Sequence, residues 1–529
     1  MMDTSNPETS AASRERAESV SEARGALSGL QSTRGIQWAQ ALLLVALFLL
    51  PVFLCLRTSS VSDPDVWWHL STAEWIVQHH ALPHTDPFSI YGAGKPWVAY
   101  SWLYELLIFQ LYQCLGLVGL VVFTVGTVVS IVIALHNLIR QFGNDFTVGV
   151  LLTAIATFSM ARVYTPRPWL LTILFFVLEL DLLMRTRKTG RIRGLMLLPL
   201  IFALWANIHI QFIGGLIVLG VALAELVLAR RRSEIQSKIS VRWFIGIFIS
   251  CILATLANPY GWRVYQVAHE LGTESAEWSR IVELFSLPFR SLDDWLVLFL
   301  TLAAVAVLAR SRLFKFFESV LLFFAAYASF RSQRDLWVVV IVATLILAGE
   351  LKGNDTNRLQ LKVWTAPFIA LATVLGVIVI FRIMHVDNAR LNAELANDLP
   401  VRGVEVIRQN GWSGPLFNDF TWGGYLIWSL RMPVSIDGRT IVYGDQRLGQ
   451  SYATWNALPG WDHDPNLEHA NLVIGPVNAP LYQILRLDSH FSLVYEDKLA
   501  AIFIARKGSS LTAGESESGE DRNPSVGVN

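Results

Sequence analysis

The sequence predicts a mostly α-helical, polytopic membrane protein with about 11 transmembrane helices, interfacial helices in the first outer loop and a small C-terminal α/β domain outside the membrane. Hydrophobic residues make up 53% of the 529-residue chain and charged residues only 16%, whereas soluble domains carry about 25% charged residues. The 42 basic and 42 acidic residues balance. This balance removes any global electrostatic case for a nucleic-acid partner.

Long apolar runs separated by polar loops are the predicted spans. The first run, Ile36–Leu56, has about 20 residues without a charge. It is longer than the apolar region of a signal peptide, so we expect it to be retained as a transmembrane helix. The other predicted spans lie at 116–139, 146–161, 168–184, 194–211, 213–229, 242–257, 294–309, 313–330, 336–350 and 364–384.

Lys and Arg residues concentrate in alternate loops, for example at 185–193 and 230–242. We expect the chain to cross the cytoplasmic membrane several times. The positive-inside rule then places these loops and the N-terminus in the cytoplasm. An odd number of spans then places residues 57–115, 258–293 and 385–507 on the outer face. The predicted domains are a transmembrane domain at 35–384 and an extracytoplasmic α/β domain at 385–507, between disordered tails at 1–34 and 508–529.

The first outer loop, residues 57–115, opens with an acidic motif at the start of a helix. Asp63 precedes Pro64, an order that favours Asp63 as the N-cap of a helix over about 64–80. The apolar residues of this helix recur every three or four positions, which predicts that it lies in the membrane interface. A second amphipathic stretch, residues 97–115, contains a single acid, Glu105. It predicts another interfacial or re-entrant helix.

The acids at the start of this loop have a structural and a chemical interpretation. Asp63 can cap the helix, and Asp65 can interact favourably with the positive end of the helix dipole. Two carboxylates at positions i and i+2 at a membrane surface are also suited to bind a divalent cation, Mg²⁺ or Mn²⁺, or to act as a general base toward an acceptor hydroxyl. With His69 and Glu74 on the same helix, the pair favours a functional site in which Asp63 and Asp65 are the catalytic residues.

The motif in this loop, DPD followed by WWHL and EW, resembles the type C glycosyltransferase superfamily. The position of the loop between an N-terminal span and a multi-span core resembles that superfamily too. Protein mannosyltransferases and aminoarabinose transferases belong to that superfamily, and this chain looks like a divergent branch. The sequence match is confined to about residues 57–115. The resemblance implies a donor sugar linked to polyprenyl phosphate, an acceptor that is a glycan, a lipid or a protein, and a catalytic or metal-associated role for Asp63 and Asp65.

Polar residues in other predicted outer turns are candidates for substrate binding. Arginines in the turns ARVYTPRPW and FRSQRD are suited to bind a lipid phosphate bidentately, and contact with lipid headgroups is the alternative. Polar residues at outer helix ends are candidate pocket walls or ordinary helix caps. The predicted substrate-binding residues are His69, Glu74, Glu105, Arg162, Tyr164, Arg167, Asn207, His209, Asn258, Arg331 and Arg334.

The C-terminal region returns to a mixed composition that predicts a small α/β domain. The segments GPLFNDF, PVSIDGR, ANLVIGP, FSLVYED and AAIFIAR are typical of short strands. Helices are predicted around 401–409, 424–430 and 481–487. Polar residues at the strand ends are either ligand groups or turn formers, namely Asn418, Asp419, Trp422, Asp437 and Arg439. We expect this domain to recognise the acceptor or to dock onto the membrane core.

The leading functional hypothesis is a membrane glycosyltransferase that moves a sugar from a polyprenyl-phosphate-linked donor to an acceptor at the extracytoplasmic face. The alternatives are a multi-span transporter or lipid flippase, and a non-catalytic envelope assembly protein. Transporters usually show internal repeats and interrupted helices. The two halves of this sequence show no such similarity, which favours the enzyme.

Overall fold

The computed structural model describes residues 35–57, 61, 63–231, 239–273, 281–311, 314–351 and 365–506. The tails predicted at 1–34 and 508–529 lie outside the described residues. The chain divides into two compact units. The first comprises the described residues of Met1–Val66, Thr72–Leu82 and Val98–Glu394, and the second those of Trp67–Ser71, Pro83–Trp97 and Leu395–Asn529.

The first unit is helical. Its elements are α1 (Gly35–Arg57), α2 (Asp65–His79, part of which belongs to the second unit), α3 (Trp102–Leu115), α4 (Leu117–Arg140), α5 (Phe146–Ser159), α6 (Trp169–Thr189), α7 (Leu198–Ile208), α8 (Phe212–Arg231), α9 (Val241–Thr255), α10 (Arg263–Thr273), α11 (Leu292–Arg310), α12 (Phe316–Arg331), α13 (Leu336–Glu350) and α14 (Thr365–Ile383). A short helix, α15 (Asn388–Leu395), follows.

Several of these helices are long and apolar enough to cross a membrane. Within the described residues there are five by length and composition, α1, α4, α8, α11 and α14, and shorter apolar helices at Phe146–Ser159, Ile192–Ile208 and Val241–Thr255. The predicted class, a mostly helical multi-pass membrane protein, is therefore confirmed. The total of eleven spans and the orientation of the termini stay predictions.

Helix α13 lies at the centre of the helical unit. Nearly all of its side chains are buried, from Leu336 to Ala348, and it packs against α4, α5, α11 and α12. A helix that is apolar on every side is stable only when other helices surround it. The turn before α13, residues 332–335, is consequently held at one end of the helical core.

The second unit is a four-stranded sheet with helices around it. The strands are β1 (Leu416–Asn418), β2 (Leu472–Pro476), β3 (Phe491–Glu496) and β4 (Ala500–Ala505), in the order β1-β2-β4-β3. β1 and β2 are parallel, and the other pairs are antiparallel. The helices are α16 (Val401–Asn410), α17 (Gly423–Leu430), α18 (Thr440–Trp455), α19 (Pro465–Glu468) and α20 (Pro480–Leu487). Phe417 stacks on Trp455 with ring centroids 5.3 Å apart in the core.

One predicted strand, PVSIDGR at 433–439, is wrong. Val434 forms only an isolated bridge with Ser89, and the polar residues that follow are tied inward. The buried Asp437 carboxylate accepts from Arg439 Nε at 2.9 Å, from Arg439 Nη2 at 2.7 Å and from the Tyr443 hydroxyl at 2.6 Å. Asp437 and Arg439 are thus internally satisfied parts of the core.

Candidate functional site

Arg167, in the turn between α5 and α6, joins three carboxylates. Its Nε lies 2.6 Å from Asp63 Oδ2, and its Nη1 lies 2.8 Å from Asp65 Oδ2 and 3.1 Å from Glu283 Oε1. Glu283 Oε1 is also 4.0 Å from Nη1 of Arg334. We call these five residues the arginine–carboxylate cluster. It brings one predicted arginine, Arg167, to both predicted catalytic acids, while a second, Arg334, is connected to them only through Glu283.

The helix start positions both aspartates of the cluster. Pro64 has helical dihedral angles, φ −65° and ψ −26°, which the proline ring favours. Asp63 Oδ1 accepts a hydrogen bond from the Asp65 backbone N–H at 3.0 Å. One oxygen of Asp63 therefore satisfies a free N–H at the helix end while the other binds Arg167. Capping and ion pairing occur in the same side chain.

Buried aromatic residues position the turn that carries Arg167. The Tyr104 hydroxyl donates to the Pro166 carbonyl, the Tyr164 hydroxyl donates to the Thr157 carbonyl at 2.8 Å, and the Trp169 indole N–H donates to the Val163 carbonyl at 2.8 Å. The Arg167 guanidinium lies 4.7 Å from the centroid of the Trp169 ring. The turn is fixed on both sides of the arginine.

Burial differs among the charged groups of the cluster. The Asp63 side chain is 4% exposed and that of Arg167 11%, whereas Asp65 is 21% and Glu283 34% exposed. Burial alone lowers the pKa of Arg167, but the negative charges of Asp63 and the other acids raise that pKa well above its ordinary value. Arg167 is therefore permanently cationic. Asp65 and Glu283 are the carboxylates that a ligand can reach most easily.

Arg334 has donor capacity that the described protein does not use. Its side chain is 33% exposed, and its Nε is buried without a hydrogen-bond partner among the described residues. The 4.0 Å separation from Glu283 is too long for a hydrogen bond. Arg331, at the end of α12, lies within 3.4 Å of the Tyr327 hydroxyl and is exposed.

The turn at His209 lies beside Arg334. Gln211 Nε2 donates to Asp335 Oδ1 at 2.7 Å and so connects this turn to the one before α13. The His209 ring forms a 2.9 Å hydrogen bond with the Thr172 hydroxyl. His209 also interacts electrostatically with Arg334, which places the two side chains near each other.

Arg162 belongs to a separate ion cluster. Its Nη2 lies 2.7 Å from Asp294 Oδ1 and 3.0 Å from Asp293 Oδ2, and its Nη1 donates to Gln333 Oε1 at 2.8 Å. Asp294 also closes a capping box with Ser291 at the start of α11. Through these contacts Arg162 connects the turn between α5 and α6 to the start of α11, which is a structural role.

The two predicted asparagines bind backbone carbonyls. Asn207 Nδ2 donates to the Ala257 carbonyl at 2.8 Å, and its Oδ1 accepts from the Trp102 indole N–H at 2.9 Å. Asn258 Nδ2 donates to the Ala206 carbonyl at 2.7 Å. These bonds connect the ends of α7 and α9, which makes the asparagines structural.

The three other predicted residues lie in different places. His69 is buried, belongs to the second unit, and has its ring centroid 3.5 Å from that of Trp68. Glu74 is half-buried on α2, and Glu105 is buried on α3. Glu105 and Asp63 both act electrostatically on Tyr104: burial first, and then these negative charges, raise the pKa of the Tyr104 phenol well above its ordinary value.

The carboxylates of the cluster face a guanidinium. Asp63 Oδ2 and Asp65 Oδ2 bind Arg167, and Asp63 Oδ1 accepts a backbone N–H. Within the described residues no group of three or more His, Cys, Asp or Glu side chains is arranged to hold a metal ion, but Mg²⁺ can bind through one or two carboxylates and water. The predicted Mg²⁺ or Mn²⁺ site stays a prediction.

Sequence reasoning missed Glu283, and it did not include Tyr104 or Trp169 among the site residues. Glu283 lies in the loop at 258–293, which the charge pattern places on the same face as Asp63. That shared face was the only available signal. Tyr104 lies in the second amphipathic stretch of the first loop, but nothing in the sequence connects it to the carbonyl of Pro166.

Comparisons with known proteins support the fold. No family model matches the sequence, and no curated protein matches it. Among solved structures, the oligosaccharyltransferase of Archaeoglobus fulgidus in the apo form is similar, with a TM-score of 0.50 and 10% identity over 84% of this chain and 69% of that chain. ArnT from Cupriavidus metallidurans bound to undecaprenyl phosphate aligns with a TM-score of 0.47 and 12% identity over 88% and 98%. The resemblance to type C glycosyltransferases is confirmed as a likeness of fold.

Proposed function

We propose that this protein is a membrane glycosyltransferase that moves a sugar from a polyprenyl-phosphate-linked donor to an acceptor at the extracytoplasmic face. The observation that carries the proposal is the arginine–carboxylate cluster, in which Arg167 contacts Asp63, Asp65 and Glu283, and Glu283 approaches Arg334. The shared fold of an archaeal oligosaccharyltransferase supports the same reaction class. The acceptor belongs to one of three classes, glycan, lipid or protein.

Asp65 is the proposed general base. Its carboxylate is the more exposed of the two aspartates, at 21% against 4% for Asp63. The acceptor oxygen attacks the anomeric carbon of the donor sugar, and the hydroxyl proton passes to Asp65. The bond between the anomeric carbon and the phosphate oxygen breaks, and its electron pair leaves with the polyprenyl phosphate. General base catalysis of this kind contributes about 10² to 10⁴ in rate.

Arg334 is the proposed ligand of the departing phosphate. Arg167 already binds three carboxylates, whereas Arg334 retains a buried Nε donor without a described partner. A guanidinium matches a phosphate with two parallel hydrogen bonds. Arg331, exposed one turn earlier, can approach the same lipid phosphate from the membrane surface.

Asp63 and Arg167 act as positioning residues in this scheme. Asp63 binds the helix start and Arg167 together, and Arg167 then holds the Asp65 carboxylate at 2.8 Å. A base held in one orientation needs no reorganisation when the acceptor arrives. No step of the scheme requires a metal ion.

The test compares three matched aspartate variants in the full-length protein. Asp293 is the control for Asp65, because both side chains are 21% exposed and each is paired with an arginine. Purified protein in lipid vesicles receives a panel of undecaprenyl-phosphate-linked sugars and an envelope extract as the source of acceptor, and released undecaprenyl phosphate is measured.

We expect Asp65→Asn to lower release by about 10² or more, and Asp63→Asn to lower it less, because Asn retains the cap. Asp293→Asn should leave release within about twofold of wild type, since Asp293 pairs with Arg162 and lies outside the arginine–carboxylate cluster. EDTA should leave the wild-type rate unchanged. Normal release by Asp65→Asn would contradict the proposal. The proposal would also be contradicted if the wild-type protein released undecaprenyl phosphate from none of the donors.

A further inference from the structure

A cavity with several polar and charged residues in its lining lies at the junction of α4 and α5, far from the arginine–carboxylate cluster. Its volume is about 320 Å³, and its lining includes His136, Arg140, Gln141, Asn144 and Lys188. The 14 residues of α5 separate it from the turn that carries Arg167 by roughly 21 Å, at 1.5 Å per residue. The cavity is therefore distinct from the proposed catalytic site.

Three residues of the cavity lining each carry a buried acceptor atom that has no partner among the described residues: His136 Nε2, Gln141 Oε1 and Asn144 Oδ1. His136 is 2% exposed. Buried polar atoms of native proteins are usually hydrogen-bonded, so three such atoms among the residues around one cavity favour a ligand that supplies donors.

The hydrogen bonds around these residues fix their acceptor character. The Thr153 hydroxyl donates to the Gly149 carbonyl at 2.7 Å, so its oxygen accepts from His136 Nδ1 at 3.1 Å. A neutral imidazole protonated on Nδ1 presents Nε2 as an acceptor. The amide nitrogens of Gln141 and Asn144 are likewise occupied by the Asp181 and Ala348 carbonyls, at 3.2 and 2.8 Å. Both amide oxygens remain as acceptors.

Two cations stand at the same cavity. Arg140 and Lys188 line it and are exposed, and within the described residues neither forms an ion pair with an acid. Lys188 Nζ donates to the Gln141 carbonyl at 2.7 Å, which keeps two of its three donors available. Asp145, at the N-cap of α5, contributes one carboxylate to the lining. The cavity thus offers cations for a phosphate, beside acceptors for an ammonium or hydroxyl group.

We propose that this cavity binds a phosphate-containing headgroup that carries hydrogen-bond donors, such as the ethanolamine phosphate group of phosphatidylethanolamine. The phosphate would bind Arg140 and Lys188, and the ammonium N–H groups would bind His136 Nε2 and the two amide oxygens. A headgroup without N–H or O–H donors satisfies only the first half of the site. This inference does not depend on the proposed glycosyl transfer.

The experiment compares two lipids of equal charge that differ in donors. Full-length protein in detergent is titrated with dihexanoyl phosphatidylethanolamine and with dihexanoyl phosphatidylcholine, whose trimethylammonium group has no N–H. The ligand-induced rise in Tm gives the affinity of each. We expect the ethanolamine lipid to bind on the order of tenfold more tightly. Equal affinity for the two lipids would overturn the proposal without any variant being needed.

Two variants separate the halves of the site. His136→Asn keeps a donor toward Thr153 and removes Nε2, so it should weaken binding of the ethanolamine lipid by about fivefold or more and leave the choline lipid unchanged. Arg140→Gln with Lys188→Gln should weaken both lipids. The control, Arg230→Gln with Arg231→Gln, removes the same charge from the end of α8, outside this lining. A control that weakens binding as much as Arg140→Gln with Lys188→Gln would overturn the assignment.

Free ethanolamine phosphate distinguishes the source of the headgroup. If it raises Tm as strongly as the lipid does, the cavity binds a soluble phosphorylated amino alcohol of the same chemistry. If only the lipid acts, the acyl chains take part and the natural ligand is a membrane lipid. Binding of inorganic phosphate with the affinity of the lipid would contradict the role of the three acceptors.

Discussion

Removing the guanidinium of Arg167 should destabilise the helical unit strongly. Arg167→Met deletes the partner of Asp63, whose side chain is 4% exposed, and leaves Asp65 and Glu283 beside it without a neutralising charge. Breaking a buried ion pair in this way costs about 3 to 5 kcal/mol, because an uncompensated charge stays in a low-dielectric environment. Asp63→Asn should cost only about 1 kcal/mol, since Asn caps a helix about as well as Asp.

The double variant supplies the decisive quantity. Asp63→Asn combined with Arg167→Met removes the most buried charge together with its partner, so it should be more stable than the sum of the single losses by about 2 kcal/mol. Unfolding of the full chain in mixed micelles, followed by circular dichroism during titration with SDS, measures all four corners of the cycle.

An exposed ion pair provides the control for this cycle. Arg390 pairs with Glu394 at 2.8 Å, and their side chains are 43% and 34% exposed. Arg390→Met should therefore change stability by less than about 1 kcal/mol. Strict additivity of Asp63→Asn and Arg167→Met would refute the reasoning, because it would mean that the two charges do not depend on each other.

Two further predictions concern packing and pH. A Cβ at Gly215 would lie 2.7 Å from the Trp205 ring, whereas a Cβ at Gly214 meets nothing within 4 Å; Gly215→Ala should cost about 1 to 3 kcal/mol in the same unfolding assay, and Gly214→Ala should be neutral or stabilising. Burial raises the pKa of Asp497, but the hydrogen bond from Tyr495 and the backbone N–H groups outweigh this and lower it. A depressed pKa contributes stability above the ordinary aspartate range that is lost as pH falls below about 4. Asp497→Asn should therefore flatten the acid limb of a Tm–pH profile, and an unchanged limb would contradict this assignment.

Local sequence patterns predicted the elements whose causes are local. The order of Asp63 and Pro64 predicted the helix start. In the structure the helix begins at Asp65, and the Asp65 backbone N–H donates a hydrogen bond to the Asp63 carboxylate. The amphipathic spacing around 401–409 and 481–487 predicted α16 and α20, which begin and end within one residue of those limits. Each signal comes from a few neighbouring residues.

The sequence patterns did not predict which distant residues pair with each other. Arg167 and Glu283 are 116 positions apart, and no periodicity connects them. The strand expected at 433–439 failed for a related reason: Ser435 bonds Asn418, and Asp437 bonds Arg439. An alternating pattern describes side-chain polarity but not the tertiary partners that these polar groups find.

The charges of the arginine–carboxylate cluster connect donor binding with proton transfer in the proposed reaction. Asp63, Asp65 and Glu283 carry three negative charges against the two positive charges of Arg167 and Arg334, so the cluster has an excess of one. A sugar linked through a phosphodiester brings another negative charge to Arg334, which then neutralises Glu283 less effectively. Moving a proton from the acceptor onto Asp65 transfers one negative charge from the cluster to the acceptor oxygen, and bond breaking transfers that charge to the departing phosphate. In the proposed reaction, the charge therefore moves from Asp65 toward Arg334, whose guanidinium is suited to bind the phosphate.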